Sequence, residues 1–126
     1  MDRKSITAKL LAANKSIVDY QWSKNDDNIF FVANMSDTFQ VWTMPARGGF
    51  PRQLTVFEQG DVKSILVSPD GEKLAILVDY DGKEDYRIFL MPTEGGEAKC
   101  VSSGLKLTLP PFDWSPDSKR IAVIPE

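Results

Sequence analysis

Seven consecutive residues, Asp79-Tyr80-Asp81-Gly82-Lys83-Glu84-Asp85, hold the densest set of groups that could do chemistry. Their carboxylates are the hard oxygen ligands that calcium prefers. A helix-loop-helix calcium loop needs glycine at its sixth position and a bidentate glutamate at its twelfth. Counted from Asp79, those positions hold Glu84 and Leu90. The segment therefore reads as a solvated hairpin turning at Asp81-Gly82. Asp26-Asp27 is a second carboxylate pair, and adjacent acids in a turn are ordinarily just solvated. Trp22, Trp42 and Trp114 could form a stacking platform, but their repeat positions argue for core packing. Arg47 and Arg52 flank Gly48-Gly49 and could reach a partner domain, with surface solvation the simpler fate. Cys100 is expected in a short strand as a small buried apolar residue.

Several chemistries are excluded outright. The chain has no histidine, so a Ser-His-Asp triad has no general base. One cysteine and no histidine cannot make the usual zinc site. No G-x-S-x-G nucleophile elbow occurs, and Ser102-Ser103-Gly104 lacks the flanking pattern. No catalytic, cofactor-binding or metal-ligating residue is assigned, and no cofactor is expected. The net charge of -3 disfavours a nucleic-acid partner. The apolar runs, 29–33 and 74–78, have strand length and fall far short of the ~20 residues of a membrane helix. Met1-Asp2-Arg3-Lys4-Ser5 leads into no long apolar run, so no export signal is read. With a lone Cys100, a cytoplasmic setting is expected.

The elements that must position these residues follow from a repeat. Trp22-Ser23-Lys24-Asn25-Asp26-Asp27-Asn28-Ile29, Val67-Ser68-Pro69-Asp70-Gly71-Glu72-Lys73-Leu74 and Trp114-Ser115-Pro116-Asp117-Ser118-Lys119-Arg120-Ile121 are three copies of one segment. The periods are 45 residues (22 to 67) and 47 residues (67 to 114). A second signature recurs in step: Met44-Pro45-Ala46-Arg47-Gly48-Gly49 and Met91-Pro92-Thr93-Glu94-Gly95-Gly96. Self-similarity at such a period marks a repeat architecture.

Strands are expected at 17–22, 29–33, 40–44 and 52–55 in the first unit. The second unit repeats them at 62–67, 74–78, 86–91 and 98–101. The third contributes 111–114 and 121–124, where the chain stops. Ser68-Pro69-Asp70-Gly71 suits a type I turn closed by a glycine with positive φ. Lys24 and Asp26 in unit one, and Ser118 in unit three, predict weaker turns there. The Gly-Gly pairs predict hairpins. Residues 5–13 carry good helix formers behind a Ser5 cap, with Ile6, Leu10 and Ala13 on one face.

Four strands per ~45 residues is the arithmetic of a β-propeller blade. The fold expected is all-β: a partial propeller of about two and a half four-stranded blades with a short N-terminal helix. Residues 1–15 form the lead-in, 16–57 blade 1, 58–104 blade 2 and 105–126 an incomplete blade 3. The central strands are apolar almost throughout, which suits strands covered on both faces.

Ser68-Pro69-Asp70-Gly71-Glu72-Lys73-Leu74-Ala75, followed by Tyr86-Arg87-Ile88-Phe89-Leu90-Met91 and Gly95-Gly96-Glu97-Ala98, resembles the repeat of TolB-like propellers. Such repeats also build the N-terminal propeller of the prolyl oligopeptidase family. The opening Ile6-Thr7-Ala8-Lys9-Leu10-Leu11 and Ile17-Val18-Asp19-Tyr20-Gln21-Trp22-Ser23 is similar to acylaminoacyl-peptidase-like members. The resemblance implies a non-catalytic propeller segment of a serine peptidase, gating small peptides into an α/β-hydrolase domain that is absent here. Its partners would be the remaining blades and that domain. The alternative it implies is a TolB-like interaction scaffold without enzyme activity. The lack of an export signal favours the first, since periplasmic TolB would be exported.

A half blade ending near Ile124 exposes an unpaired strand edge, a liability for association. The chain on its own is therefore expected to be marginally stable or oligomeric. Size-exclusion chromatography checks this, and a cooperative soluble monomer contradicts it.

Overall fold

The computed structural model describes residues 16–103, 105–107 and 112–123. The helix expected at 5–13 lies outside the described residues, as do parts of the strands expected at 111–114 and 121–124. The described chain is all-β. It has ten strands in order: β1 (Ile17–Trp22), β2 (Asn28–Ser36), β3 (Thr38–Pro45), β4 (Arg52–Gln53), β5 (Asp61–Val67), β6 (Lys73–Asp79), β7 (Tyr86–Pro92), β8 (Lys99–Cys100), β9 (Asp113–Trp114) and β10 (Ile121–Ala122). They make three antiparallel meanders, β1-β2-β3-β4, β5-β6-β7-β8 and β9-β10. Each sheet is one blade, and every strand lies where the repeat predicts it. The fourth strands are shorter than expected, at two residues each.

The blades repeat in register as well as in order. Ile29 lies opposite Met44, and Leu74 opposite Met91. A bulge interrupts the first strand pair between Ile17 and Asp19, and again between Val62 and Ser64. These are equivalent positions one period apart. Bulges bend a strand and increase its twist. Nothing in the residue pattern announced them.

The apolar runs are explained by packing on both faces. Phe30, Val32 and Val41 on one face of blade 1 meet Leu74, Ile76, Val78, Phe89 and Met91 of blade 2. The other face of blade 2 presents Ala75, Leu77, Tyr86 and Ile88 to Leu107, Phe112 and Trp114. The outer face of blade 1 gathers Ile29, Phe31, Ala33 and Met44 with Ile17, Trp22, Met35 and Trp42. A strand buried on both sides cannot alternate apolar with polar, which is why β2 and β6 do not.

The turns correct one expectation. The first-to-second-strand turns of units one and three are not weaker versions of the second. The left-handed residue is Asp26 at φ 59°, Gly71 at 79° and Ser118 at 63°. Each is donated to the same serine carbonyl: Asp26 N to Ser23 O at 2.9 Å, Gly71 N to Ser68 O at 2.8 Å, Ser118 N to Ser115 O at 2.9 Å. The serine hydroxyl then accepts the amide of Asn28, Lys73 or Arg120 at 3.1, 3.0 and 2.9 Å. Serine is the common element, and a short polar residue tolerates the left-handed region well enough to replace glycine. The Gly-Gly hairpins form as expected, with Gly48 N donating to Pro45 O and Gly95 N to Pro92 O.

Polar side chains tie the elements together. Gln40 is 2% exposed and fully bonded. Its amide nitrogen donates to Thr38 Oγ1 and Phe57 O, and its oxygen accepts from Thr55 Oγ1 and Phe57 N. It pins the strap that leaves blade 1 for blade 2. Asp61 accepts Phe39 N at 2.9 Å, and Asp19 accepts Ile65 N at 3.0 Å. Trp114 Nε1 donates to Leu66 O at 3.0 Å, and Asp70 N to Ser118 Oγ at 3.0 Å. Each of these four bonds crosses from one blade to the next.

Two glycines separate backbone strain from steric contact. Gly60 and Gly82 have nearly the same φ, 79° and 76°. A Cβ on Gly60 would overlap the carbonyl oxygen of Asp79, whereas one on Gly82 meets nothing within 4 Å. Gly82→Ala is expected to cost roughly 1–2 kcal/mol, the left-handed penalty alone. Gly60→Ala is expected to cost at least ~2 kcal/mol more, because backbone must move. Denaturant unfolding of the two variants measures the difference, and equal losses would show that the Asp79 contact yields freely.

Candidate functional site

The residues with chemical potential are dispersed, and most serve local structure. Asp81 Oδ1 accepts Lys83 N, and Tyr80 N donates to Asp85 O, which closes the 79–85 segment as a hairpin. Asp85 pairs with Arg87 at 2.9 Å, and the Arg87 guanidinium lies 3.8 Å over the Tyr80 ring. Among the described residues no group of three or more potential ligands converges. Asp26 and Asp27 are exposed in the first turn. Trp114 is 9% exposed in the core between blades 2 and 3. Trp22 and Trp42 pack on the outer face of blade 1, so the three tryptophans form no shared platform. Arg47 is exposed, and Arg52 lies along the Gly95 turn of blade 2. Cys100 is half-buried against the first core, with Ser102 Oγ 3.8 Å from its sulfur. Ser102 itself is 5% exposed and accepts Ile88 N, a structural bond.

Two serine–carboxylate pairs are the nearest approach to a nucleophile with a partner. Ser68 Oγ donates to Asp70 Oδ1 at 2.6 Å, and Ser115 Oγ to Asp117 Oδ1 at 2.6 Å. Each carboxylate also accepts a backbone amide, from Glu72 and Lys119 respectively. The serine hydroxyl is meanwhile the acceptor that closes the turn. Its hydrogen bond, the largest influence, holds Asp70 below the usual carboxylate range, with the Glu72 amide next. Asp117 is lowered in the same way, by Ser115 first and the Lys119 amide second. A carboxylate made less basic is a poor general base. These pairs are turn locks.

One feature has the form of a binding surface. On the face of blade 2 turned towards blade 3 lies an open groove of about 620 Å³. Leu90, Met91, Pro92 and Val101 supply its apolar wall, and Glu72, Lys73, Glu97 and Lys99 its rim. The rim carries two positive and two negative charges, so it presents no net charge to an incoming group. The groove exists because β7 and β8 run further out than the short β9-β10 pair covers. Sequence reading did not find it. Its signal was the two-residue third sheet read against the eight-residue third strand of blade 1.

No family model and no curated protein matches the chain. Among solved structures it is similar to a protein described as a TolB from Agrobacterium tumefaciens, with 22% identity and a TM-score of 0.57. That match covers 64% of this chain and 31% of the other. It is also similar to TolB from Acinetobacter baumannii, with 15% identity and a TM-score of 0.63 over 85% of this chain and 25% of that one. The chain thus spans about a third and a quarter of those structures. At these identities the likeness shows the fold, a TolB-like β-propeller. Nothing in it points to a peptidase, so the hydrolase half of the expected resemblance has no counterpart here.

The turn locks have a pH signature. A carboxylate held below its unfolded value of about 4 contributes stability that is complete above that value. The contribution is lost as pH falls through the lower folded value. Asp70→Asn and Asp117→Asn should therefore flatten the acid limb. Melting temperature followed from pH 7 to pH 2 is expected to fall more steeply below about pH 4 in the parent than in either variant. Superimposable acid limbs would show that the locks contribute nothing.

Proposed function

We propose that the chain is a non-catalytic part of a TolB-like propeller acting as a protein-interaction scaffold. The observation that carries this reading is the use made of the polar side chains. Ser68, Asp70, Ser115 and Asp117 close turns, and Asp19, Asp61 and Ser118 bond across blades. None is left converging on a site where substrate could react. What the described surface offers instead is an open apolar sheet face and exposed apolar side chains, Phe50 at 96% and Val56 at 79%. Exposed apolar surface of this kind is a mark of protein interaction. The similarity to two TolB structures supports the same reading.

The gating segment of a serine peptidase is the competing proposal. Its repeats would look the same, and its catalytic groups would lie in another domain. The two readings separate on one experiment. The natural gene product that contains this sequence is isolated from its source and treated with a fluorophosphonate probe, which labels activated serines. No labelling is expected. Specific labelling of that polypeptide, abolished by heat denaturation, would replace the scaffold with the peptidase gate.

A further inference from the structure

The third blade shows where a partner strand fits. Its β10 occupies the repeat position of β2 and β6, with Ile121 equivalent to Leu74 and Ile29 through the spacings of 47 and 45 residues (74 to 121, 29 to 74). In both complete blades the central strand is flanked on two sides. Among the described residues β10 pairs with β9 alone. Its far edge presents main-chain groups at the place where Leu74 meets Met91 and Ile29 meets Met44.

The blade-2 groove is the side-chain half of the same feature. Its wall residues Leu90 and Val101 correspond to Thr43 and Leu54 of blade 1, 47 residues earlier. On blade 1 that ground is covered by blade 2. Met91 and Ala98 pack into the core that includes Leu54. The Gly95 turn lies so close that a Cβ there would sit 3.6 Å from an Arg52 guanidinium nitrogen and 4.0 Å from Leu54. Blade 1 therefore displays the occupant that blade 2 calls for: a third strand and its Gly-Gly hairpin.

We propose that the β10 edge and the blade-2 groove together accept an extended strand from another polypeptide, one carrying the repeat's own third-strand pattern. That pattern is an aromatic residue, methionine two positions on, proline next, and Gly-Gly at the sixth and seventh positions, as at 42–49 and 89–96. The methionine falls opposite Ile121 and the aromatic residue opposite Val123. Both side chains then turn towards Leu90 and Val101. The glycines take left-handed φ, as Gly95 does at 111° and Gly96 at 129°. The balanced rim leaves shape and apolarity, not charge, to select the ligand. This is strand addition to a sheet edge, where main-chain bonds give affinity and pockets give specificity. The inference rests on the scaffold reading and names its partner.

The test uses the whole chain and a labelled synthetic peptide of residues 86–100 with Cys100→Ser. Fluorescence anisotropy is expected to show saturable one-to-one binding. Val101→Glu in the protein should weaken it roughly tenfold, since a charge then faces the apolar ligand. Val101 is 52% exposed, so this variant should fold, and circular dichroism checks that it does. A peptide N-methylated at its Met91 amide keeps every apolar side chain but loses a main-chain donor, and it should bind at least ~tenfold more weakly. Absence of saturable binding, or equal binding of the N-methylated peptide, overturns the proposal. So does a chain dimer that excess peptide leaves intact, which would make this face an interface between copies. None of these failures bears on fluorophosphonate labelling, so the scaffold reading stands or falls separately.

Discussion

The structure depends on one contact, the face-to-face packing of blade 1 on blade 2. Phe30, Val32 and Val41 meet Leu74, Ile76, Val78, Phe89 and Met91, most of them under 4% exposed. A four-stranded sheet has two faces, and neither can be hidden within the sheet itself. Each blade is therefore stable only through its neighbours, as in any architecture whose units contact only adjacent units. The same contact sets the composition of β2 and β6, which must be apolar on both sides. It also sets the spacing of the repeat, since each unit must deliver an equivalent face.

Polar groups give that apolar contact its register. An apolar interface alone tolerates sliding, because burial is non-directional. Hydrogen bonds do not. Asp19 to Ile65, Asp61 to Phe39, Ser118 to Asp70 and Trp114 to Leu66 each join one blade to the next at one position. Gln40, with all its hydrogen-bonding capacity used inside the protein, holds the connecting strap. The side chains best suited to chemistry by type are thus the ones that define geometry. This explains why a chain rich in serine and aspartate assembles no reactive centre among its described residues.

Repetition is also what makes the surface interpretable. An open groove on an isolated sheet says little about its ligand. Here blade 1 carries the equivalent ground with its cover in place, and that cover has a defined strand, turn and glycine pair. The aromatic, methionine and proline positions acquire meaning from the register of two complete blades. Fold likeness to TolB proteins agrees with this but adds no residue-level role, because 15% and 22% identity carry the architecture alone.

Much of the fold was legible in the residues. The 45- and 47-residue periods, the Met-Pro-x-x-Gly-Gly pairs and the doubly apolar central strands are local patterns, and each dictates a strand or a turn through its own chemistry. The absence of histidine excluded whole classes of catalysis without any coordinates. Other features were not legible. Asp26 and Ser118 looked like poor turn residues, yet the serine two or three positions earlier makes the turn the same in all three copies. The paired bulges, the partners of Asp19 and Asp61, and the groove beside Leu90 and Val101 arise between strands or between blades. Sequence by itself determined which segments are strands and how often they recur, because backbone preference and periodicity act over a few residues. Only tertiary structure decided which faces are covered and which remain open, because that depends on groups some 45 residues apart meeting across a sheet.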